Sequence, residues 1–431
     1  LLAGLATLPL IYLLGVELGG RTTGVAGTAL AAVGFWPDLV SRTGLSDGWY
    51  PPFAAAALLL LVRGVRRARR LDFAAAGVVI GLAIQTTSFA RSLTALAVVL
   101  IGTAWFPAGS EQRRKLLAGL GVVLILAVIA GLPTLVAARS GPVDGGALWW
   151  LGAANGARDH GVASGLVERF ARAVVMPLWS DGPVWVHGGG MRPALDRVAG
   201  AFLVLGTALG IAGVVLRRRL VDALFLVSVP VLVLPAVLAP LDPAMAPSPV
   251  RCGGAMAPVF VLAGAGFASV IGALARSLAS PLGRRLAAAV AIGAVTLSAL
   301  AGRSVVRGTF AETWDRSAWN ASELGEVVRG AVAIGVPLER ARVVPHPHWV
   351  DTRLVGAEAG HPETDLAIDP QAVLNAAGRA GPQLYLVHPD DHRTLRTLKE
   401  KLPGAAVIRF ESRTGNRPFL AVIDLSVNGG E

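Results

Sequence analysis

The chain has 431 residues, 54% of them apolar, and 39 Lys and Arg against 28 Asp and Glu give it a net charge of +11. Its mean hydropathy is +0.60, and apolar runs of membrane-spanning length recur through the first three hundred positions, which excludes an ordinary soluble enzyme and defines a polytopic membrane protein. The charge does not point to nucleic acid: residues 1–302 hold 24 basic and 12 acidic residues, residues 303–431 hold 15 and 16, and the excess in the membrane part reads as topology. One cysteine, Cys252, leaves no room for an intrachain disulfide framework or a multi-cysteine metal site, and the seven histidines show no metal-binding spacing. No metal is expected and no cofactor is certain. The chain opens Leu-Leu-Ala-Gly inside an apolar run with no charged segment ahead of it, so no signal peptide is read there and the sequence is expected to begin within a longer protein.

Apolar runs near 1–18, 24–40, 51–65, 73–88, 92–106, 116–138, 198–216, 220–241, 255–274 and 285–302 predict about ten spanning helices. Basic clusters at Arg63, Arg66, Arg67, Arg69 and Arg70, at Arg113, Arg114 and Lys115, at Arg217, Arg218 and Arg219, and at Arg276, Arg284 and Arg285 fall on alternate connections, which assigns those connections to the cytoplasm. With Arg21 that side carries 15 basic residues against four acidic ones, and the other side carries nine against eight. Residue 1, the connections 41–50, 88–92, 139–197 and 242–254, and everything after 302 are then expected outside. Of the ten tryptophans only Trp105 belongs to the inner half. Trp36 and Trp49 suit an interfacial belt; Trp149, Trp150, Trp179, Trp185, Trp314, Trp319 and Trp349 lie too far out for a belt alone, and some are expected to line a ligand groove.

Within the outer loop 139–197, the stretch from Pro177 to Asp196 mixes carboxylates (Asp181, Asp196), cations (Arg192, Arg197), indoles (Trp179, Trp185), His187 and flexible glycines. It has neither helical nor strand periodicity and cannot lie in lipid, so a structured loop at the membrane surface is expected, a common place for chemistry. From 303 onward apolar runs shorten to strand length. Strands near 341–345, 383–388, 405–411 and 418–424 alternate with helices near 321–334, 370–379 and 391–401, which predicts a small α/β domain. The expected organisation is thus a transmembrane domain over 1–302 and a soluble extracytoplasmic α/β domain over 303–431.

Charged residues are almost absent from the middles of the expected spans, whereas Asp38, Arg42, Asp47, Arg91 and Arg251 gather at outer ends. A transporter coupled to protons or ions needs ionisable groups near the midplane. Carboxylates and arginines concentrated at one surface instead fit a reaction on a lipid-linked anionic substrate, arginine binding phosphate and carboxylate taking a proton. Snorkelling of these arginines to headgroups is the alternative. Gly44-Leu-Ser-Asp-Gly48 and His187-Gly-Gly-Gly190 match hydrolase patterns, but Ser46 follows a membrane span rather than a buried strand, which argues against a nucleophile elbow. Gly264-Ala-Gly266, inside an apolar run, reads as close helix contact.

Leu8-Pro-Leu-Ile-Tyr-Leu-Leu-Gly-Val-Glu-Leu18 and Ser41-Arg-Thr-Gly-Leu-Ser-Asp47 resemble the early helices of GT-C class glycosyltransferases related to the protein O-mannosyltransferases and the lipid A aminoarabinose transferase. The resemblance continues in order through Gly81-Leu-Ala-Ile-Gln-Thr-Thr-Ser-Phe-Ala-Arg91, the Asp181 to Asp196 loop, Pro249-Val-Arg251, His348-Trp-Val-Asp-Thr-Arg353 and Val387-His-Pro-Asp390. It implies transfer of a sugar from a polyprenyl-phosphate donor to an acceptor glycan, lipid or protein on the outer face of the membrane, with Arg91 and Arg251 on the donor phosphate and Asp47 in a supporting role. Asp181, Trp185, His187, Arg192 and Asp196 are expected in the substrate loop. These families carry their principal acidic motif in the first outer loop, whereas this sequence starts at what resembles their second helix; the main base is therefore expected to lie outside it. A non-catalytic scaffold or glycan-binding protein of the cell envelope, and thirdly a transporter, remain as other readings.

Overall fold

The computed structural model describes residues 2–42, 46–140, 162–184, 188–238, 247–277, 280–313, 321–346, 349–377, 381–413 and 417–426. They form two units, Leu1–Phe310 and Ala311–Glu431. In the first, helices α1 (Leu2–Gly19), α2 (Arg21–Val33), α3 (Phe35–Arg42), α4 (Tyr50–Arg67), α5 (Arg70–Thr86), α6 (Ser92–Trp105), α7 (Ser110–Ser140), α8 (Val162–Val175), α9 (Arg197–Arg217), α10 (Leu220–Leu232), α11 (Leu234–Leu238), α12 (Met256–Ser277) and α13 (Pro281–Ser304) follow in order. Among the described residues eight helices are long and apolar enough to cross a membrane, or up to nine when α2 and α3 are taken as one span bent by 59°. The remaining apolar run is α5, with 17 residues. The chain is a multi-pass membrane protein with a polytopic α-helical fold.

Local chemistry explains the irregular points. Gly34 takes an extended conformation between α2 and α3, and Pro37 brings no amide to the first turn of α3, so the helical ladder breaks there and the chain turns. Helix α4 starts Tyr50-Pro51-Pro52, where missing amides cost nothing, and ends at Ala68 with φ of 51°. Asp196 caps α9 by accepting from Val198 N at 2.8 Å and Ala199 N at 3.1 Å.

Lipid gives helices little reason to bury leucine against one another, so close approach has to come from small residues. A β-carbon at Gly264 of α12 would stand 2.5 Å from the backbone nitrogen of Gly27 in α2. One at Gly266 would overlap Phe202, and one at Gly206 would overlap the carbonyl of Leu262, so α9 and α12 also touch backbone to backbone. At the other end of α1, the buried carboxylate of Glu17 accepts from Arg63 at 2.9 Å, Arg66 at 2.6 Å and Arg67 at 2.8 Å, tying the basic end of α4 to α1.

The second unit holds a four-stranded sheet in the order β1-β2-β4-β3, formed by β1 (Ala341–Val343), β2 (Gln383–Val387), β3 (Ala406–Phe410) and β4 (Phe419–Asp424). β1 runs parallel to β2, while β2–β4 and β4–β3 are antiparallel. Helices α14 (Ala321–Ala333), α15 (Thr352–Glu358), α16 (Pro370–Ala376) and α17 (His392–Lys401) accompany it. Leu384 and Leu386 join one apolar cluster with Leu324 and Val328, and Tyr385 and Val387 join a second with Val373 and Leu398. Both faces of β2 are therefore covered, and its sequence is accordingly an unbroken run instead of an alternating one. α15 was not expected from periodicity; it is set by Asp351, whose carboxylate caps Arg353 N at 2.9 Å and Leu354 N at 3.3 Å.

Candidate active site

Three short turns at helix junctions bring polar groups together in the first unit. The 3-10 turn Ser46–Trp49 leads into α4 and carries Asp47. The 3-10 turn Ser88–Arg91, opened by Thr87, leads into α6. The segment 247–255 leads into α12 and carries Arg251. Thr87 Oγ1 donates to Asp47 Oδ1 at 2.7 Å and accepts from Phe89 N at 3.3 Å, so one hydroxyl fixes both the carboxylate and the turn that ends in Arg91. Tyr50 OH lies 2.6 Å from Ser92 Oγ and 3.3 Å from the Leu232 carbonyl, binding the start of α4 to α6 and α10.

Arg251 is only 7% exposed. Burial lowers the pKa of its guanidinium, and attraction to the Asp47 carboxylate opposes that effect. Its backbone is held by Ser248, which accepts from Arg251 N at 3.4 Å and, through its carbonyl, from Cys252 N at 2.9 Å. The indole Nε1 of the buried Trp36 donates to Pro249 O at 2.9 Å, so α3 positions the same segment. Arg91 differs in one respect: its Nη1 is buried and has no hydrogen-bond partner among the described residues. A buried guanidinium nitrogen with nothing to donate to is costly, and an anionic oxygen would satisfy it.

The described parts of the loop at 176–196, residues 176–184 and 188–196, are bonded to one another. Ala194 N donates to Met176 O at 3.4 Å, Leu195 N to Pro177 O at 3.1 Å and Asp181 N to Arg192 O at 2.7 Å. Inside it Asp181, 1% exposed, accepts from Gly189 N and from Arg192 N at 3.0 Å. Burial pushes its carboxyl pKa up and those backbone amides pull it down. Gly182, at φ of +87°, lies against the carbonyl of Pro247, where a side chain would collide, and a β-carbon at Gly189 would stand 3.1 Å from Phe35. The loop thus rests on α3 and on the segment that carries Arg251.

Most of the residues expected from the sequence have a place in the structure. Asp47 and Arg251 face one another electrostatically, and Arg91 follows one turn after the partner of Asp47. Asp181 braces its loop, and Asp196 caps α9 while accepting from Ser298 at 2.5 Å. Arg192 packs over Gly189. Trp185 and His187 lie outside the described residues. Asp38 and Arg42 pair with each other at 2.6 Å on the surface. Trp179 is 77% exposed. Trp36, expected in an interfacial belt, is instead fully buried with its indole bonded to Pro249 O, and Tyr50, Thr87 and Ser92 were not singled out by sequence, although the polar run Gln85-Thr-Thr-Ser88 inside an apolar region was a usable signal. Cys252, within the connection 242–254 expected outside, is in a connection and fully buried, which pushes its thiol pKa up to about 12.

In the second unit the C-terminal ends of the parallel strands β1 and β2 bring His346 and His388 into a stack with ring centroids 4.1 Å apart, and Trp349 meets His388 edge-on at 5.6 Å. His348 lies outside the described residues. No group of three or more His, Cys, Asp or Glu that could hold a metal ion occurs among the described residues.

This multi-pass bundle followed by a unit with a small sheet is the fold of the GT-C class of membrane glycosyltransferases. No family model and no curated protein matches the sequence. Among solved structures, the chain is similar to the aminoarabinose transferase ArnT from Cupriavidus metallidurans in the apo state, with a TM-score of 0.54 and 14% identity over 98% of this chain and 82% of that one. It is similar to ArnT bound to undecaprenyl phosphate, with a TM-score of 0.52 and 14% identity over 100% of this chain and 84% of that one. The archaeal oligosaccharyltransferase AglB from Archaeoglobus fulgidus, in complex with an inhibitory peptide and a dolichol-phosphate, gives a TM-score of 0.50 and 12% identity over 99% of this chain and 62% of that one. At such identities the likeness is one of fold.

Proposed function

We propose that this protein is a membrane glycosyltransferase that moves a sugar from a polyprenyl-phosphate donor to an acceptor glycan, lipid or protein on the outer face of the membrane. The observation that carries the reading is the buried Nη1 of Arg91, without a partner among the described residues and one turn from the Thr87–Asp47 hydrogen bond, whose carboxylate attracts Arg251. A phosphate in reach of Arg91 and Arg251 would gain charged hydrogen bonds as it leaves. The solved structures of this fold that hold undecaprenyl phosphate or dolichol-phosphate support the donor class.

In the reaction an acceptor hydroxyl attacks the anomeric carbon from the face opposite the phosphate. The bond from that carbon to the phosphate oxygen breaks, the polyprenyl phosphate departs with the electron pair, and the hydroxyl proton passes to a carboxylate. Asp47, half-buried, fixed by Thr87 and drawn toward Arg251, takes the supporting role of orienting the acceptor; the principal base is assigned to none of the described residues. Trp179 and the 177–196 loop suit the acceptor side, and the distribution of basic residues in the sequence supports an outer location for residues 303–431.

The test is binding and transfer by the purified chain in nanodiscs with a polyprenyl-phosphate-linked sugar. Arg91→Ala should weaken donor binding about ten- to hundredfold, the worth of a charged hydrogen bond, with the fold retained. Equal donor binding by the well-folded variant would overturn the assignment. Binding of glycan with no binding of polyprenyl phosphate would replace the enzyme by the non-catalytic scaffold.

A further inference from the structure

At the end of the bundle remote from Asp47, Arg91 and Arg251, helices α2, α12 and α13 leave a groove of about 820 Å³. Its walls are almost wholly apolar, with Val25 and Ala29 of α2, Phe267 and Ile271 of α12, and Val295 of α13 along its length. Two cations stand at its mouth, Arg21 at the start of α2 and Arg276 in the last turn of α12. Neither has an ion-pair or hydrogen-bond partner among the described residues, in contrast to Arg63, Arg66 and Arg67, which all pair with Glu17 at the same end of the bundle. The Arg276 guanidinium folds back over its own helix, 3.2 Å from where a β-carbon on Gly272 would stand. On the other side of α2 a polar cavity of about 510 Å³ shares Thr22 and Arg276 with the groove and adds Arg217, Arg219 and Asp222.

We propose that this groove holds one anionic membrane phospholipid, its phosphate between Arg21 and Arg276 and an acyl chain along α2, α12 and α13. Three observations fix the occupant. The mouth offers two cations without partners among the described residues and the interior is apolar apart from Thr22 and Thr296, so the ligand is amphipathic with a negative head. The groove runs along α2 from Arg21 to Ala29, about 12 Å at helical rise, which fits inside one leaflet of a hydrocarbon core about 30 Å thick. It opens at the bundle end marked by the arginine clusters, whereas a polyprenyl-phosphate donor would need its phosphate at the opposite end, beside Arg91 and Arg251. The lipid would fill the gap between α13 and the α2–α12 pair, which narrows at its far end, where a β-carbon on Gly302 of α13 would stand 2.6 Å from the Val33 carbonyl of α2. The site stands apart from the proposed transferase reaction, and its test does not use transfer.

The experiment is native mass spectrometry of the purified full chain, released from nanodiscs containing equal phosphatidylglycerol and phosphatidylcholine. The wild type should retain phosphatidylglycerol selectively. Arg21→Gln with Arg276→Gln should lower that retention by about fivefold for each arginine removed. Ala29→Phe, which fills the apolar part and leaves both charges, should lower it as well, and Arg276→Lys should preserve it; these two carry the test should the double variant not accumulate. Equal retention of both phospholipids, or unchanged retention in the charge and filling variants, would overturn the proposal. So would inorganic phosphate alone, or a polyprenyl phosphate at equal concentration, displacing the retained lipid, since the site would then recognise a free anion or the donor.

Discussion

Replacing Arg251 with glutamine separates two roles that one cation could play. Its guanidinium, 7% exposed, is drawn toward Asp47, so it could act on a donor phosphate or merely neutralise that carboxylate. If it binds phosphate, the loss is one charged hydrogen bond in a largely dry site, about 1.5–3 kcal/mol, or roughly ten- to hundredfold in affinity. Arg251→Lys should recover part of it, because an ammonium keeps the charge but not the forked geometry. Asp47→Asn alone should leave donor affinity unchanged or slightly improved, since it removes a negative charge near the phosphate. The decisive measurement is affinity for a polyprenyl phosphate, by calorimetry in detergent, across wild type, both single variants and the double variant. Arg251→Gln should lose affinity whether or not Asp47 is also changed. Restoration of wild-type affinity in the double variant would refute the phosphate assignment and leave Arg251 as a counter-ion.

Trp36→Phe keeps the buried ring and deletes the 2.9 Å bond to Pro249 O, leaving a buried carbonyl unpaired; it should cost about 1–3 kcal/mol in denaturant unfolding and weaken donor binding through the displaced Arg251 segment. Cys252, buried with its thiol pKa pushed up to about 12, should resist a maleimide near neutral pH from either side of the membrane in the native protein, and react rapidly once the protein is unfolded. In the second unit, burial first and the stacked His346 second hold the His388 pKa below the ordinary imidazole value. The unfolded chain therefore binds the proton more readily: stability is present above about pH 6.5 and declines as pH falls through the lowered folded value, a slope that His388→Gln should flatten in pH-dependent melts.

Hydropathy located the helices well because lipid demands an apolar surface wherever a span is exposed, and each apolar run is helical. It could not show the bend at Gly34, since α2 and α3 are one apolar stretch until Pro37 breaks the ladder. In the second unit β2 and β4 were legible as short apolar runs, yet α15 depends on a single cap, Asp351, that periodicity does not register. Charge at the ends of the spans was enough to single out Asp47, Arg91 and Arg251 as candidates. The neutral groups that position them, Thr87 on Asp47 and Trp36 on Pro249, are 40 and 213 residues from their partners, and nothing in composition pairs them. Asp181 and Asp196 illustrate the opposite difficulty: a carboxylate in a polar loop reads as chemistry, and only coordinates reveal backbone amides already occupying it.

The backbone contacts of α12 with α2 and α9 affect how any mutational survey of this protein should be interpreted. Gly206→Ala adds one methyl where the carbonyl of Leu262 already stands, and Gly264→Ala does the same against Gly27. Both changes are conservative by any hydropathy scale, and neither position belongs to the polar turns. In a screen scored only by product formed, they would register beside Arg91 and Arg251 as if they were catalytic. Accumulation of folded protein has to be scored in parallel, so that inactive variants divide into those that lose the bundle and those that lose the proposed site.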